Sequence, residues 1–255
     1  MTILSFQPYC GPAPQPGAVW AAWNLDPVLI GALVAAAVVW GMTWGRGAST
    51  RERLVFGAVW SLFFIAFVSP LCALTSALFA ARVGHHVAVM TLAAGLLVLA
   101  APRARLEGLF GGRSLLWSAT AAQAVLLWFW HAPAAYGWSL TGDAQYWIMQ
   151  ASLIGAALMF WRGVRLAPIQ HGLLALIATM VQMGALGALI TFAGEALYAP
   201  HFATTLAWGL TPLEDQQAGG LIMWAPAAGA YLAAALILLM RRVGFGEAGA
   251  GERIA

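Results

Sequence analysis

Seven long, uninterrupted apolar stretches dictate what this chain can fold into. They run approximately Pro27–Gly45, Leu54–Phe79, His85–Ala101, Ser114–His131, Tyr146–Trp161, Gly172–Ala193 and Ala218–Met240. A helix rises about 1.5 Å per residue, so around 20 apolar residues cross the roughly 30 Å hydrocarbon core of a bilayer. The runs are continuous rather than period-two, which excludes a barrel of short alternating strands. Charged residues make up only 8% of the 255 residues, against about 25% in soluble domains. So few charges cannot clothe a water-facing globule, and most of the surface must face lipid. A nucleic-acid-binding protein, a soluble dinucleotide enzyme and a disordered scaffold are all excluded. The expectation is an all-α polytopic membrane protein, with a bundle of seven transmembrane helices over residues 27–240. Residues 1–26 form a segment before it and 241–255 a tail behind it.

The charge layout predicts orientation. All 12 basic residues are arginines. Arg46, Arg51 and Arg53 follow the first stretch, Arg103, Arg105 and Arg113 the third, Arg162 and Arg165 the fifth, and Arg241, Arg242 and Arg253 the last. Arg82 alone falls in a loop on the opposite side. By the positive-inside rule the N-terminus lies outside and the C-terminus is cytoplasmic. Met1 to Val19 lack the basic flank and apolar run of a cleavable signal, so they are expected to stay on the protein. Asp26 is placed to cap a helix opening at Pro27, and Ser69-Pro70 should bend the second span. Gly184, Gly187 and Ala188 form a small-residue seam for close helix packing. Trp44, Trp147 and Trp161 belong to the tryptophans expected at membrane interfaces.

With that orientation, both cysteines and four of the 5 histidines gather at or near the outer face. Cys10 lies in the N-terminal segment, Cys72 in the outer third of the second span, His85 and His86 at the start of the third. His131 ends the fourth span, and His201 sits in the last outer loop. Thiolate, thioether and imidazole together suit a soft ion such as Cu(I). His86 and Met90 share a helix face at a spacing of four, and Met149 and Met223 offer sulfur at similar depth. Several plainer fates stay open. Interfacial histidines ordinarily make hydrogen bonds, methionine fills gaps, and Cys10 and Cys72 are free to join in a disulfide on an oxidising side. No carboxylate stands at mid-membrane to relay a proton. Gln123, Gln150 and Gln182 are read as amides that glue helices. Walker A, Gly-x-Ser-x-Gly, His-Glu-x-x-His and Cys-x-x-Cys patterns are all missing, which points away from an enzyme.

Several local patterns coincide in order: Trp23-Asn24-Leu25-Asp26-Pro27, Ser69-Pro70-Leu71, Trp130-His131-Ala132-Pro133, Phe160-Trp161, and Asp215-Gln216 followed by Met223-Trp224. From Trp23 to about Met240 the chain resembles the CtaG family of cytochrome c oxidase (caa-type) assembly factors. There are departures. Where many relatives open the third span with His-Met-x-x-His, this chain has Arg82 in the first position and matches only the last, at His86. Gln150 stands where relatives often have a histidine, and Gly219 replaces an alanine, a change expected to be minor.

The resemblance implies a non-catalytic helper in maturing a haem–copper oxidase in the bacterial inner membrane, delivering or holding copper at the outer face. Its partners would be oxidase subunits, membrane lipid and other copper chaperones, with no nucleic acid. The expected copper ligands are His86, His131 and Cys72, with Cys10 as a mobile fourth. His85 and Met90 support them. Asp215 and Gln216 would shape the outer mouth through hydrogen bonds to a ligand imidazole, and Met223 and Trp224 would line the last helix beneath. Two rival classes are a haem-bearing redox subunit with His86 and His131 as axial ligands, and a small-molecule or metal transporter, which ordinarily shows internal repeats and broken helices.

Overall fold

The computed structural model describes residues 6–108 and 115–251; Met1, Arg113, Ser114 and Arg253 lie outside them. Its ordered elements are helices, with no strand among the described residues. In chain order they are α1 (Pro27–Thr43), α2 (Thr50–Phe67), α3 (Pro70–Ala77), α4 (Phe79–His86), α5 (Ala94–Ala100), α6 (Arg103–Gly108), α7 (Leu116–His131), α8 (Pro133–Trp138), α9 (Asp143–Leu166), α10 (Ile169–Thr191), α11 (Pro212–Ile222) and α12 (Ala228–Gly251). A π-helical stretch, Val87–Ala93, joins α4 to α5, and another, Met223–Ala227, joins α11 to α12.

Over its described residues each of the seven apolar stretches is mostly helical, but length and hydropathy single out fewer. Phe79–Val98, Ile169–Thr191 and Pro212–Met240 are long and apolar enough to cross a membrane by themselves. The α2–α3 pair makes up to 4, bent by 46° at its break, and α1 is a shorter apolar helix. The break has the expected cause. Pro70 cannot donate to the preceding turn, and Ser69 caps the new helix by accepting from the Leu71 amide at 3.2 Å. Asp26 caps α1 as expected, with Oδ1 accepting from the Val28 amide at 2.8 Å. Tyr9 also donates to this carboxylate, which holds its pKa below the usual aspartate value.

Packing is tightest where side chains are smallest. A Cβ on Gly187 of α10 would stand 2.9 Å from the Gly220 carbonyl oxygen of α11, so the two backbones touch along the expected seam. Amides glue helices as expected: Gln123 of α7 donates to the Tyr231 hydroxyl of α12 at 3.0 Å, and Trp128 of α7 donates to Gln182 of α10 at 2.9 Å. One tryptophan departs from expectation. Trp161 is no interfacial anchor but a core residue, 2% exposed, stacked on Tyr231 with ring centroids 5.6 Å apart. Its indole N–H donates to the Met90 carbonyl at 3.1 Å, inside the first π-helical stretch, where the regular α-helical ladder is interrupted.

Candidate functional site

The polar chemistry collects at one end of the bundle, and α4 organises it. Leu78 is extended and provides no side-chain cap, so the first amides of α4 need acceptors from elsewhere. Asp215 supplies them from α11: Oδ2 accepts from Phe79 N at 2.7 Å and Oδ1 from Ala80 N at 3.1 Å. The neighbouring Gln216 clasps the segment after α10. Its Oε1 accepts from Leu197 N at 2.6 Å, and its Nε2 donates to the carbonyls of Ile190 at 3.2 Å and Glu195 at 3.3 Å. Asp215 and Gln216 therefore brace backbone instead of bonding a ligand imidazole, the role expected of them.

Because α4 starts at Phe79, Arg82 lies within a helix rather than in an outer loop. Arg82, His85 and His86 are all buried. The Arg82 guanidinium reaches Ser139 Oγ at 3.3 Å and Met149 Sδ at 3.9 Å. Its central carbon stands 5.3 Å from the Tyr136 ring centroid and 5.8 Å from that of Tyr146, cation–π distances that steady a desolvated charge. The sequence signalled this position twice, as the one arginine on its side of the chain and as the residue in the first place of the His-Met-x-x-His pattern.

Three imidazoles follow. The rings of His85 and His86 lie 5.6 Å apart, and those of His86 and His131 lie 6.3 Å apart. Neither ring nitrogen of His86 makes a hydrogen bond. His131, at the end of α7, has Nδ1 2.7 Å from the Leu127 carbonyl oxygen. A carbonyl only accepts, so Nδ1 carries the proton and the lone pair of the neutral ring resides on Nε2. Tyr198 holds the same helix end by donating to the His131 carbonyl at 2.9 Å.

His201 is also buried rather than exposed on a loop, with Nε2 sharing a 2.6 Å hydrogen bond with the Tyr136 hydroxyl. Burial, reinforced by the Arg82 charge, pushes its pKa down to about 3. The ordinary unfolded value is about 6.5. Between these values the unfolded chain binds a proton that the native protein refuses, so stability is full above the upper value and falls as the pH drops through the window. His201→Gln should flatten the pH dependence of thermal unfolding between pH 6.5 and 4 by roughly one proton's worth, about 1.4 kcal/mol per pH unit.

The cysteines go elsewhere. Cys10 and Cys72 are joined in a disulfide, which ties the N-terminal segment to α3. In this form neither sulfur is a thiolate, and neither joins the imidazoles. Among the described residues no three His, Cys, Asp or Glu side chains converge closely enough to hold a metal ion. Met90 and Met223 are buried, and Trp224 is 44% exposed. The run from Val87 to Ala93 is π-helical, so the α-helical neighbour rule does not carry over unchanged from His86 to Met90. Gly219 is more than a minor departure. A Cβ there would run into the Phe79 ring, which is stacked on Tyr198 with centroids 4.0 Å apart and has little room to yield. Gly219→Ala should cost about 1–3 kcal/mol, the usual range for overpacking, read as a lower melting temperature in detergent.

The fold and site define a class: an all-helical protein with apolar helices of membrane-crossing length, and a cluster of buried imidazoles beside a buried arginine. The chain belongs to the cytochrome c oxidase caa3 assembly factor family (Caa3_CtaG), which matches residues 32–243. No curated protein and no solved structure matches it.

Proposed function

We propose that this protein is a non-catalytic, multi-pass assembly factor of the inner membrane that helps mature a haem–copper cytochrome c oxidase, holding Cu(I) as cargo at the outer end of the bundle. Family membership supports the assembly role. The copper role is carried by the buried His86–His131 pair, 6.3 Å between rings, in which both His86 nitrogens lack a hydrogen bond. Buried polar atoms are nearly always partnered, and leaving one bare costs free energy that a ligand would return. Bonds of about 2 Å from one ion to each imidazole suit rings at this separation. Neutral nitrogen donors with the thioethers of Met90 and Met149 in reserve fit a soft ion. A site of few ligands also releases what it holds, as delivery requires.

The seven helices and the outward N-terminus belong to the same reading. Eleven arginines lie on the side assigned to the cytoplasm, and Arg82, the one remaining, is buried inside a helix. The disulfide fits an oxidising outer face, and its reduction would release Cys10 and Cys72 as additional donors. Oxidase subunits and other copper chaperones are the expected partners. The test is genetic. Deleting the protein should abolish the spectrum of the mature oxidase, the wild-type chain should restore it, and His86→Ala and His131→Ala should not. Normal oxidase in the deletion strain overturns the assembly role; full rescue by both variants overturns the site.

A further inference from the structure

Arg82 is 2% exposed, and among the described residues no carboxylate lies within ion-pair distance of its guanidinium. The buried carboxylate of this region, Asp215, is engaged with the amides of Phe79 and Ala80. The Nε of Arg82 has no hydrogen-bond partner at all. Arginine does not give up its proton in proteins, so a full positive charge stands inside the cluster. It lies four residues before His86 on α4, one turn away on the same helix face.

We propose that Arg82 limits the charge of the cargo: it confines the imidazole site to monovalent soft cations and rejects divalent ions. The inference rests on His86 and His131 being the cargo site. The donors of that site, the imidazoles of His86 and His131, are uncharged, and so is the Met149 thioether 3.9 Å from the guanidinium. No negatively charged side chain is among those donors. A monovalent ion meets one unit of repulsion, and a divalent ion meets two. One extra unit of charge about one helical turn away, at an effective dielectric constant of about 20, weakens binding by on the order of a hundredfold. Without that penalty an imidazole site would readily take Zn²⁺ or Cu²⁺.

The experiment is equilibrium binding of Cu(I), Ag(I), Zn(II) and Cu(II) to the purified, disulfide-intact protein in detergent, with Arg82→Gln and Arg82→Lys beside the wild type. The wild type should take Cu(I) and Ag(I) and discriminate against Zn(II) and Cu(II) by at least tenfold. Arg82→Gln should gain at least tenfold in Zn(II) affinity with a smaller gain for Ag(I), while Arg82→Lys, which keeps the charge, retains the preference. Zn(II) binding by the wild type within tenfold of Ag(I) overturns the inference. So does a folded Arg82→Gln without the gain, or loss of the preference in Arg82→Lys. A wild type that binds neither Cu(I) nor Ag(I) overturns the cargo reading itself, a result distinct from a cargo site that is indifferent to charge.

Discussion

Asp215→Ala should be the most damaging single substitution in the protein, with a loss of about 3–5 kcal/mol of stability. Asp215 is 0% exposed and accepts from both Phe79 N and Ala80 N. Hydrogen bonds to an ionised group are worth about 1.5–3 kcal/mol each, and a buried donor stripped of its partner costs further. At a fully buried position water is not at hand to replace the carboxylate. The damage should spread from α4 to the residues it carries, because Arg82, His85 and His86 all lie within its two turns. Asp215→Asn retains one acceptor oxygen but turns an amide donor toward the other backbone N–H, so its loss should be smaller. Denaturant unfolding in detergent checks both values. A melting temperature for Asp215→Ala within about 2 °C of wild type would contradict the clamp.

His86→Leu should do the opposite to stability and the same to function. Both nitrogens of this 4% exposed ring are unpartnered, so an apolar side chain of similar size removes an unsatisfied polar group without breaking a hydrogen bond. The melting temperature should hold or rise, while Cu(I) affinity falls by at least a hundredfold and oxidase maturation fails. Such opposition is characteristic of a residue kept for function against the interest of the fold. His131→Leu makes the contrast, because it forfeits the 2.7 Å bond to the Leu127 carbonyl and should lose stability as well. If His86→Leu lowered both stability and maturation together, His86 would be a packing residue.

The helical nature of the chain was legible because long apolar runs have no other stable form. The capping of α1 by Asp26 and the break at Ser69-Pro70 were equally readable, since both are local chemistry. The gathering of His85, His86 and His131 could be anticipated from their common position at helix ends on one side. What the sequence could not supply was partnership between distant segments. The placement of Arg82 depended on where α4 starts, and that start depends on Asp215, more than a hundred positions later. Trp161 with Met90 is likewise a pairing between remote segments, whereas the Cys10–Cys72 disulfide was one of the fates the sequence left open for its two cysteines. The clash that forbids a side chain at Gly219 involves a ring in a different helix, so no local pattern around Gly219 could announce it.

The most direct measurement is X-ray absorption at the copper edge of the Cu(I)-loaded protein with its disulfide intact. The account predicts a first shell led by imidazole nitrogen, with the outer-shell scattering of histidine rings, lost in the His86→Leu variant. A shell made of thiolate sulfur, or an unchanged spectrum in that variant, would contradict it.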